Sequence, residues 1–390
     1  MTELSLSGQD LSSLIELRHL LHQRAEVAGN EEKTAETIHS FLEQTGPDRL
    51  HTSIGGHGVL AKYKGKKDGP AVMIRCELDA LPIPEANDLP YGTETPGVSH
   101  KCGHDGHMAI VAGVGMMLGR HRPEAGNVFL LFQPAEETGE GAKRVLNDEV
   151  FLEHPPDYIF ALHNIPGLEK HKVLTRAGTF AAASVGVTVA MEGESSHAGH
   201  PEQGVSPAMA VAHLIQDLSA FSQHHTSLNE PAKATVIHAR VGEKAFGTSP
   251  AEGEVSATLR TYQDKQLDEL KSRLVTTAES LVKMYNLKNI ETKWIEPFKA
   301  TVNDSECTEI IRSSARGLSL QVSDLDHPFA WSEDFGRFTD RYKGAIFGLG
   351  AGKSAHALHA STYDFPDELV ETGVHLFSRI ISNVLALSDD

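Results

Sequence analysis

The chain has 390 residues, with 35 Lys plus Arg against 53 Asp plus Glu and a formal charge of −18. At roughly 150 residues per domain, with single cores ceasing to grow beyond ~250–300, that length predicts two domains. The acidic balance, with only short basic runs such as Lys64 to Lys67, excludes nucleic acid and an anionic membrane surface as partners.

In chain order, Asp10 to Glu26 places apolar residues at helical spacing with Asp10 as its N-cap, and Glu31 to Leu42 continues the pattern; both read as surface helices. Short apolar runs bounded by Gly, Pro or Asp follow: Gly58 to Tyr63, Ala71 to Arg75, Val128 to Phe132 and Tyr158 to Leu162, with a long apolar helix at Met108 to Leu118. Near-continuous apolar strands separated by helices predict an α/β sheet covered on both faces. From Ala181 to about Pro297 the character changes. Strand Ser184 to Met191, helix Pro207 to Phe221 and strand Ala234 to Val241 are followed by strand Glu254 to Thr261, helix Leu267 to Tyr285 and strand Ile290 to Ile295. That order is the ferredoxin-like split arrangement. A helix at Asn303 to Leu318, a buried strand at Gly344 to Gly350 and a terminal amphipathic helix at Glu368 to Leu387 resume the first layer. The expected organisation is a discontinuous α/β domain, 1–180 and 298–390, with an inserted α+β domain, 181–297.

Met1 to Gln9 is polar and acidic where a secretory signal needs basic then apolar residues, and no apolar run of about 20 occurs, so the expectation is a cytoplasmic protein. Three widely separated cysteines, Cys76, Cys102 and Cys307, make no disulfide framework; a functional one is a thiolate ligand or nucleophile. The sequence has neither a GxGxxG fingerprint nor a Walker loop, which leaves nucleotide chemistry unsupported.

Chemistry-bearing residues cluster just after predicted strands: Glu77 and Asp79, Glu136 and Glu137, His163, and His356 and His359; CGHDGH (Cys102 to His107) opens the long helix. In open α/β sheets ligands bind beyond the carboxyl ends of strands, so these clusters are expected to converge. Cys102 and His104, two apart in a glycine-flanked loop, can turn to one point, and thiolate with imidazole suits Zn²⁺. A loop capped by Asp105 with a buried cysteine is the plainer alternative. Glu136 and Glu137 follow a buried strand, where uncompensated charge is costly. One can bind metal while the other acts as general base, although a helix N-terminal acid pair explains them equally well. His163 and His359, taken singly, have packing explanations. Jointly, Cys102, His104, a glutamate, His163 and His359 are more donors than one tetrahedral ion requires, which points to two metals.

Seven strings in order, RCELDALPIPE (Arg75 to Glu85), KCGHDGH (Lys101 to His107), QPAEE (Gln133 to Glu137), ALHN (Ala161 to Asn164), SSHAGHPEQG (Ser195 to Gly204), SEDF (Ser332 to Phe335) and LHASTYDF (Leu358 to Phe365), give a specific resemblance. The chain resembles the dinuclear-metal amidohydrolases related to carboxypeptidase G and aminoacylase, in the subgroup of hippurate hydrolase and indole-acetyl-amino-acid hydrolases. The resemblance implies a zinc-peptidase-like catalytic domain with an inserted lid that makes a homodimer. It implies Cys102, His104, Glu137, His163 and His359 as ligands of two divalent ions, zinc first, with manganese, cobalt or nickel as alternatives. Glu136 is then the general base, Asp79 a carboxylate that orients the site, His197 a lid histidine steadying the oxyanion, and Arg260 a partner for the substrate carboxylate. A solvent-facing strand arginine is the alternative for Arg260. Glu77 stands where relatives usually carry Asp, the lid segment Lys244 to Pro250 lacks a usual asparagine, and Ala360-Ser361 replaces a common Asn-Pro. The expected activity is metal-dependent hydrolysis of N-acyl amino acids or amino-acid conjugates. The rivals are a dipeptidase or aminopeptidase on the same scaffold, a non-catalytic metal-binding protein, and an enzyme using Cys102 as nucleophile.

Overall fold

The computed structural model describes residues 6–387, so part of the acidic stretch Met1 to Gln9 lies outside the described residues. The chain forms two compact units: Met1–Phe180 with Thr301–His327 and Glu333–Asp390, and Ala181–Ala300 with Pro328–Ser332. Helices α1 (Gly8–Gln23) and α2 (Glu32–Glu43) precede strands β1 (Arg49–Ile54), β2 (Gly58–Lys64) and β3 (Lys67–Glu77). Then come α3 (His104–Arg120), β4 (Ala125–Gln133), the short helices α4 (Gly141–Val145) and α5 (Glu149–Leu152), and strands β5 (Tyr158–Pro166), β6 (Val173–Thr175) and β7 (Gly178–Ala181). Next are β8 (Ala183–Glu192), β9 (Ser196–His197), α6 (Ala208–His225), β10 (Ala232–Val241), β11 (Thr248–Ser249), β12 (Glu252–Thr261), α7 (Asp264–Tyr285) and β13 (Asn289–Phe298). The chain returns through β14 (Thr301–Asn303), α8 (Ser305–Gly317), β15 (Val322–Asp324), α9 (Gly336–Thr339), β16 (Lys343–Gly352) and α10 (Leu369–Ala386).

The first unit is built on an eight-stranded sheet ordered β1-β2-β4-β3-β5-β16-β6-β15. Its centre is parallel: β3 pairs with β4 and β5, and β5 with β16. The registers Glu77↔Gln133 and His163↔Gly348 bring the carboxyl ends of these strands to one edge. Strands buried on both faces need near-continuous apolar sequence, and Val72–Glu77 is wholly buried. Val72, Ile74 and Cys76 pack into the main core with Leu14 of α1, Ile110 of α3 and Val374 of α10. Helix α3 is buried almost all round, as its uniformly apolar sequence requires.

Two local expectations are corrected. Asp10 is not the N-cap of α1: Ser7 caps the helix, and Asp10 closes a capping box by accepting from the Ser7 backbone. Nor is α1 merely a surface helix, since Arg18 and His22 are fully buried beneath it. Strands β3 and β5 also run further than their apolar cores, to Glu77 and Pro166, because neighbouring strands continue the ladder past the polar residues.

The second unit has a four-stranded antiparallel sheet ordered β10-β12-β8-β13, with α6 and α7 contributing to its core. Strand, helix, strand, strand, helix, strand in that order is the ferredoxin-like arrangement. In β8 and β12 buried and half-buried residues alternate, as one covered face requires.

Helices α3 and α10 touch through small residues. A Cβ at Gly373 would stand 2.5–2.8 Å from three side-chain carbons of Ile110. Gly373→Val is therefore expected to lower the unfolding free energy by about 2–3 kcal/mol through overpacking, measured by urea titration; a change below about 0.5 kcal/mol would contradict this packing.

Candidate metal centre

The turn Cys102–Gly103–His104 starts α3. Gly103 has φ +92°, and a Cβ there would stand 2.7–3.0 Å from the Asn164 amide, so conformation and space both demand glycine. The left-handed residue brings the side chains on either side of it to one point. His104 Nδ1 lies 2.8 Å from the Asp79 carbonyl, which can only accept, so the Nε2 of the neutral ring carries the lone pair. His163 behaves alike: Nδ1 is 2.9 Å from the Asn164 carbonyl, and Nε2 is 3.4 Å from Cys102 Sγ. Burial and neighbouring His107 push the His163 pKa down to about 3, which keeps this imidazole neutral.

Opposite them lie the acids after β4. Asp79 accepts the backbone N–H of Glu136 through Oδ1 and of Glu137 through Oδ2, both at 3.0 Å, and so orients the pair. Glu136 Oε2 and Glu137 Oε1 each stand 3.9 Å from His104 Nε2. Burial, with nearby Asp79, pushes Glu137 up to about 7. Glu136 is raised well above the usual carboxylate range by burial and then by Glu333, Glu137 and Asp334. His359, also at positive φ (+64°), comes from the segment after β16.

These side chains form overlapping donor groups. Cys102, His104 and His163 make one, Cys102, Glu137 and His359 another, with ligand-type atoms of each within 4.8 Å of one another. Cys102 belongs to both. His104 Nε2 and Glu137 Oε1 are buried without a hydrogen-bond partner. Orphaned buried polar atoms are costly, and sulfur, nitrogen and carboxylate donors around an excess of negative charge suit divalent cations. The residues therefore fit two divalent ions, which Cys102, His104, Glu137, His163 and His359 would hold. Three further groups occur among the described residues: His104 with Glu136 and Glu137; Glu77 with His104 and His107, where Glu77 is hydrogen-bonded to His107; and Glu136 with Glu333 and Asp334, the last two facing the buried Arg75 guanidinium.

Of that framework only Glu77 stood among the clusters expected to converge; Arg75, Glu333 and Asp334 carried no expected role. Arg75, fully buried, ion-pairs with Glu77, Glu333 and Asp334. The Asp334 backbone N–H is 3.3 Å from Glu136 Oε1. A charged residue ending an apolar strand was the signal that could have found Arg75. Behind α3, Asp105 does not cap the helix: it accepts from Arg18 Nε at 2.9 Å and pairs with His22 Nδ1 at 2.8 Å.

His197 and Arg260 belong to the second unit. His197 is exposed on β9, its Nδ1 accepting the Gly199 N–H at 3.0 Å. Arg260 on β12 is half-buried and donates Nη1 to the Ala330 carbonyl (3.0 Å) and Ser332 Oγ (3.1 Å). His356 is exposed and is in none of the donor groups found among the described residues.

Residues 73–383 match the model of peptidase family M20/M25/M40, and the chain belongs to that family. It is 28% identical to N-acetylcysteine deacetylase of Bacillus subtilis over 95% of this chain and 97% of that one. It is 31% identical to N-acetyl-L-cysteine deacetylase of the same organism, over 88% and 82%. A solved dinuclear metal-binding peptidase of the M20 family from Bacillus subtilis superposes with a TM-score of 0.82 at 25% identity, over 98% of this chain and 99% of that chain. A structure from methicillin-resistant Staphylococcus aureus shares the fold with a TM-score of 0.87 at 23% identity, over 97% of each chain. The chain is a metal-dependent amidohydrolase. No described helix is long and apolar enough to cross a membrane.

Burial lowers the pKa of His22, but hydrogen bonds to Asp105 and Glu85 raise it further, to about 9. The folded chain thus holds this proton where the unfolded chain releases it near 6.5. The resulting stabilisation is complete below about pH 6.5 and is lost as pH rises through about 9. In the presence of chelator, the stability difference between the native chain and His22→Gln should shrink by about 3 kcal/mol from about pH 6 to about pH 10. A pH-independent difference in denaturant titrations would refute the pairing.

Proposed function

We propose that the chain hydrolyses the amide bond of N-acyl amino acids or amino-acid conjugates, releasing a carboxylic acid and an amino acid. The observation that carries the reading is the pair of donor groups sharing Cys102, with buried Glu136 beside them in a further group with His104 and Glu137. Cys102, His104, Glu137, His163 and His359 would hold two divalent ions, zinc first by donor chemistry, with manganese, cobalt or nickel as alternatives. When bound, the ions supply Lewis acidity that polarises the amide carbonyl and makes water acidic enough to attack near neutral pH.

Glu136 is the proton carrier. Its carboxylate takes the proton of the attacking water and returns it to the departing amine, so that the leaving group departs neutral. The Asp334 backbone N–H and the Asp79 contact to the Glu136 backbone restrict the swing of that carboxylate. His197 is proposed to steady the oxyanion and Arg260 to meet the substrate carboxylate, both on the family resemblance; Arg260 offers a planar fork for two hydrogen bonds. The domain roles proposed are catalysis for 1–180 and 298–390, and lid and homodimer contact for 181–297, in a cytoplasmic protein. The N-acetylcysteine deacetylases among the relatives support an acylated amino acid as substrate.

Glu136→Gln is expected to lower kcat by about 10²–10⁴ while elemental analysis finds unchanged metal content; near-native turnover would remove Glu136 from the role. Purified, metal-quantified protein should cleave N-acetyl and N-benzoyl amino acids, lose activity to chelators and regain it with Zn²⁺, Mn²⁺ or Co²⁺. Preferential cleavage of unblocked dipeptides would favour the peptidase alternative. Inactivation by alkylation of metal-free enzyme that retains turnover would favour a cysteine nucleophile.

A further inference from the structure

His359 occupies left-handed backbone at φ +64°, a conformation that a residue with a side chain keeps only where its surroundings impose it. The surroundings here are specific. The His359 N–H donates to the Lys101 carbonyl at 2.9 Å, and the Ala86 N–H donates to the Ser361 carbonyl at 3.0 Å. Asn87 Nδ2 donates to the Thr362 carbonyl at 3.0 Å, and Lys101 Nζ to the Tyr363 carbonyl at 2.8 Å. Lys101 thus grips both ends of the turn, the first with its carbonyl and the last with its ammonium. Its side chain is fully buried and ion-paired with Glu85, which is itself anchored by His22 and the Thr93 N–H. A buried ammonium without its acceptors is strongly disfavoured, so the side chain has no solvated alternative position.

Lys101 also immediately precedes Cys102, the residue shared by the two donor groups. We propose that Lys101 is a positioning residue of the metal centre: it clamps the His359–Tyr363 turn against the Cys102 loop and so sets His359 beside Cys102 and Glu137. The inference rests on the reading of His359 as a ligand. Lys101 acts through the backbone of the ligand's own turn, with its ammonium on Glu85 and the Tyr363 carbonyl. The ion held by Cys102, Glu137 and His359 should depend on it, whereas the ion held by Cys102, His104 and His163 should not.

The test is cobalt titration of the metal-free full-length protein, followed by visible absorption and by metal stoichiometry after desalting, in parallel for the native chain, Lys101→Met, Lys101→Arg, Asn87→Ala and His359→Ala. Removal of partners that orient ligands typically weakens metal binding by about 10–100-fold. Lys101→Met is expected to weaken one of two cobalt equivalents by at least about tenfold, the same equivalent that His359→Ala loses, with the other unchanged and partial recovery in Lys101→Arg. Native affinity for both equivalents in Lys101→Met, alongside loss of one in His359→Ala, overturns the clamp. Equal weakening of both equivalents overturns it as well, because that marks general damage. If His359→Ala keeps both at native affinity, the ligand reading itself falls. Should Lys101→Met fail to fold by circular dichroism, Asn87→Ala decides: selective weakening of the His359-dependent equivalent supports the clamp, and native affinity for both refutes it.

Discussion

The left-handed turn at Gly103 is the constraint around which the first unit's chemistry is arranged. Placing a glycine between Cys102 and His104 lets both side chains face the same point, and the missing Cβ lets Asn164 pack directly against the turn. Asn164 then reaches His107 and the Tyr363 hydroxyl and neighbours His163, so the packing that admits the glycine also ties together β5, α3 and the segment after β16. Any larger residue at 103 would separate donors that the sheet has brought level.

Charge balance is the second principle. Asp79, Glu136 and Glu137 crowd a buried space, and burial with their mutual repulsion raises their affinity for protons. One layer out the acids meet fixed cations. Arg75 pairs with Glu77, Glu333 and Asp334, while Arg18, Lys101 and His22 pair with Asp105 and Glu85. Buried acids beside sulfur and imidazole donors suit a divalent cation.

The second unit follows different physics. Its antiparallel sheet is covered on one face, so its strands alternate where those of the first unit are uniformly apolar. That change of period is why its composition stands apart within the chain. His197 and Arg260 sit on this unit with ordinary local roles: one caps a short turn, the other tethers the 330–332 segment to β12.

Apolar period and turn chemistry determined the two fold classes along the chain, since burial on one face or two is written directly into residue order. Glu136, Glu137, His163 and His359 were readable as candidates because each lies at or beyond the end of a strand, where parallel pairing leaves the carboxyl termini on one edge, and Cys102 and His104 because they flank a glycine at the start of a helix. What residue order could not carry were partnerships between distant segments. Asp10 and Asp105 each look like helix caps locally, yet one closes a box on Ser7 and the other neutralises Arg18 and His22. Arg75 and Lys101 read as unremarkable charges until the fold buries them against acids from elsewhere in the chain. Sequence patterns determine which residues must leave water; only the tertiary structure decides which charge meets which, because a buried ion's partner is set by distance in space rather than along the chain.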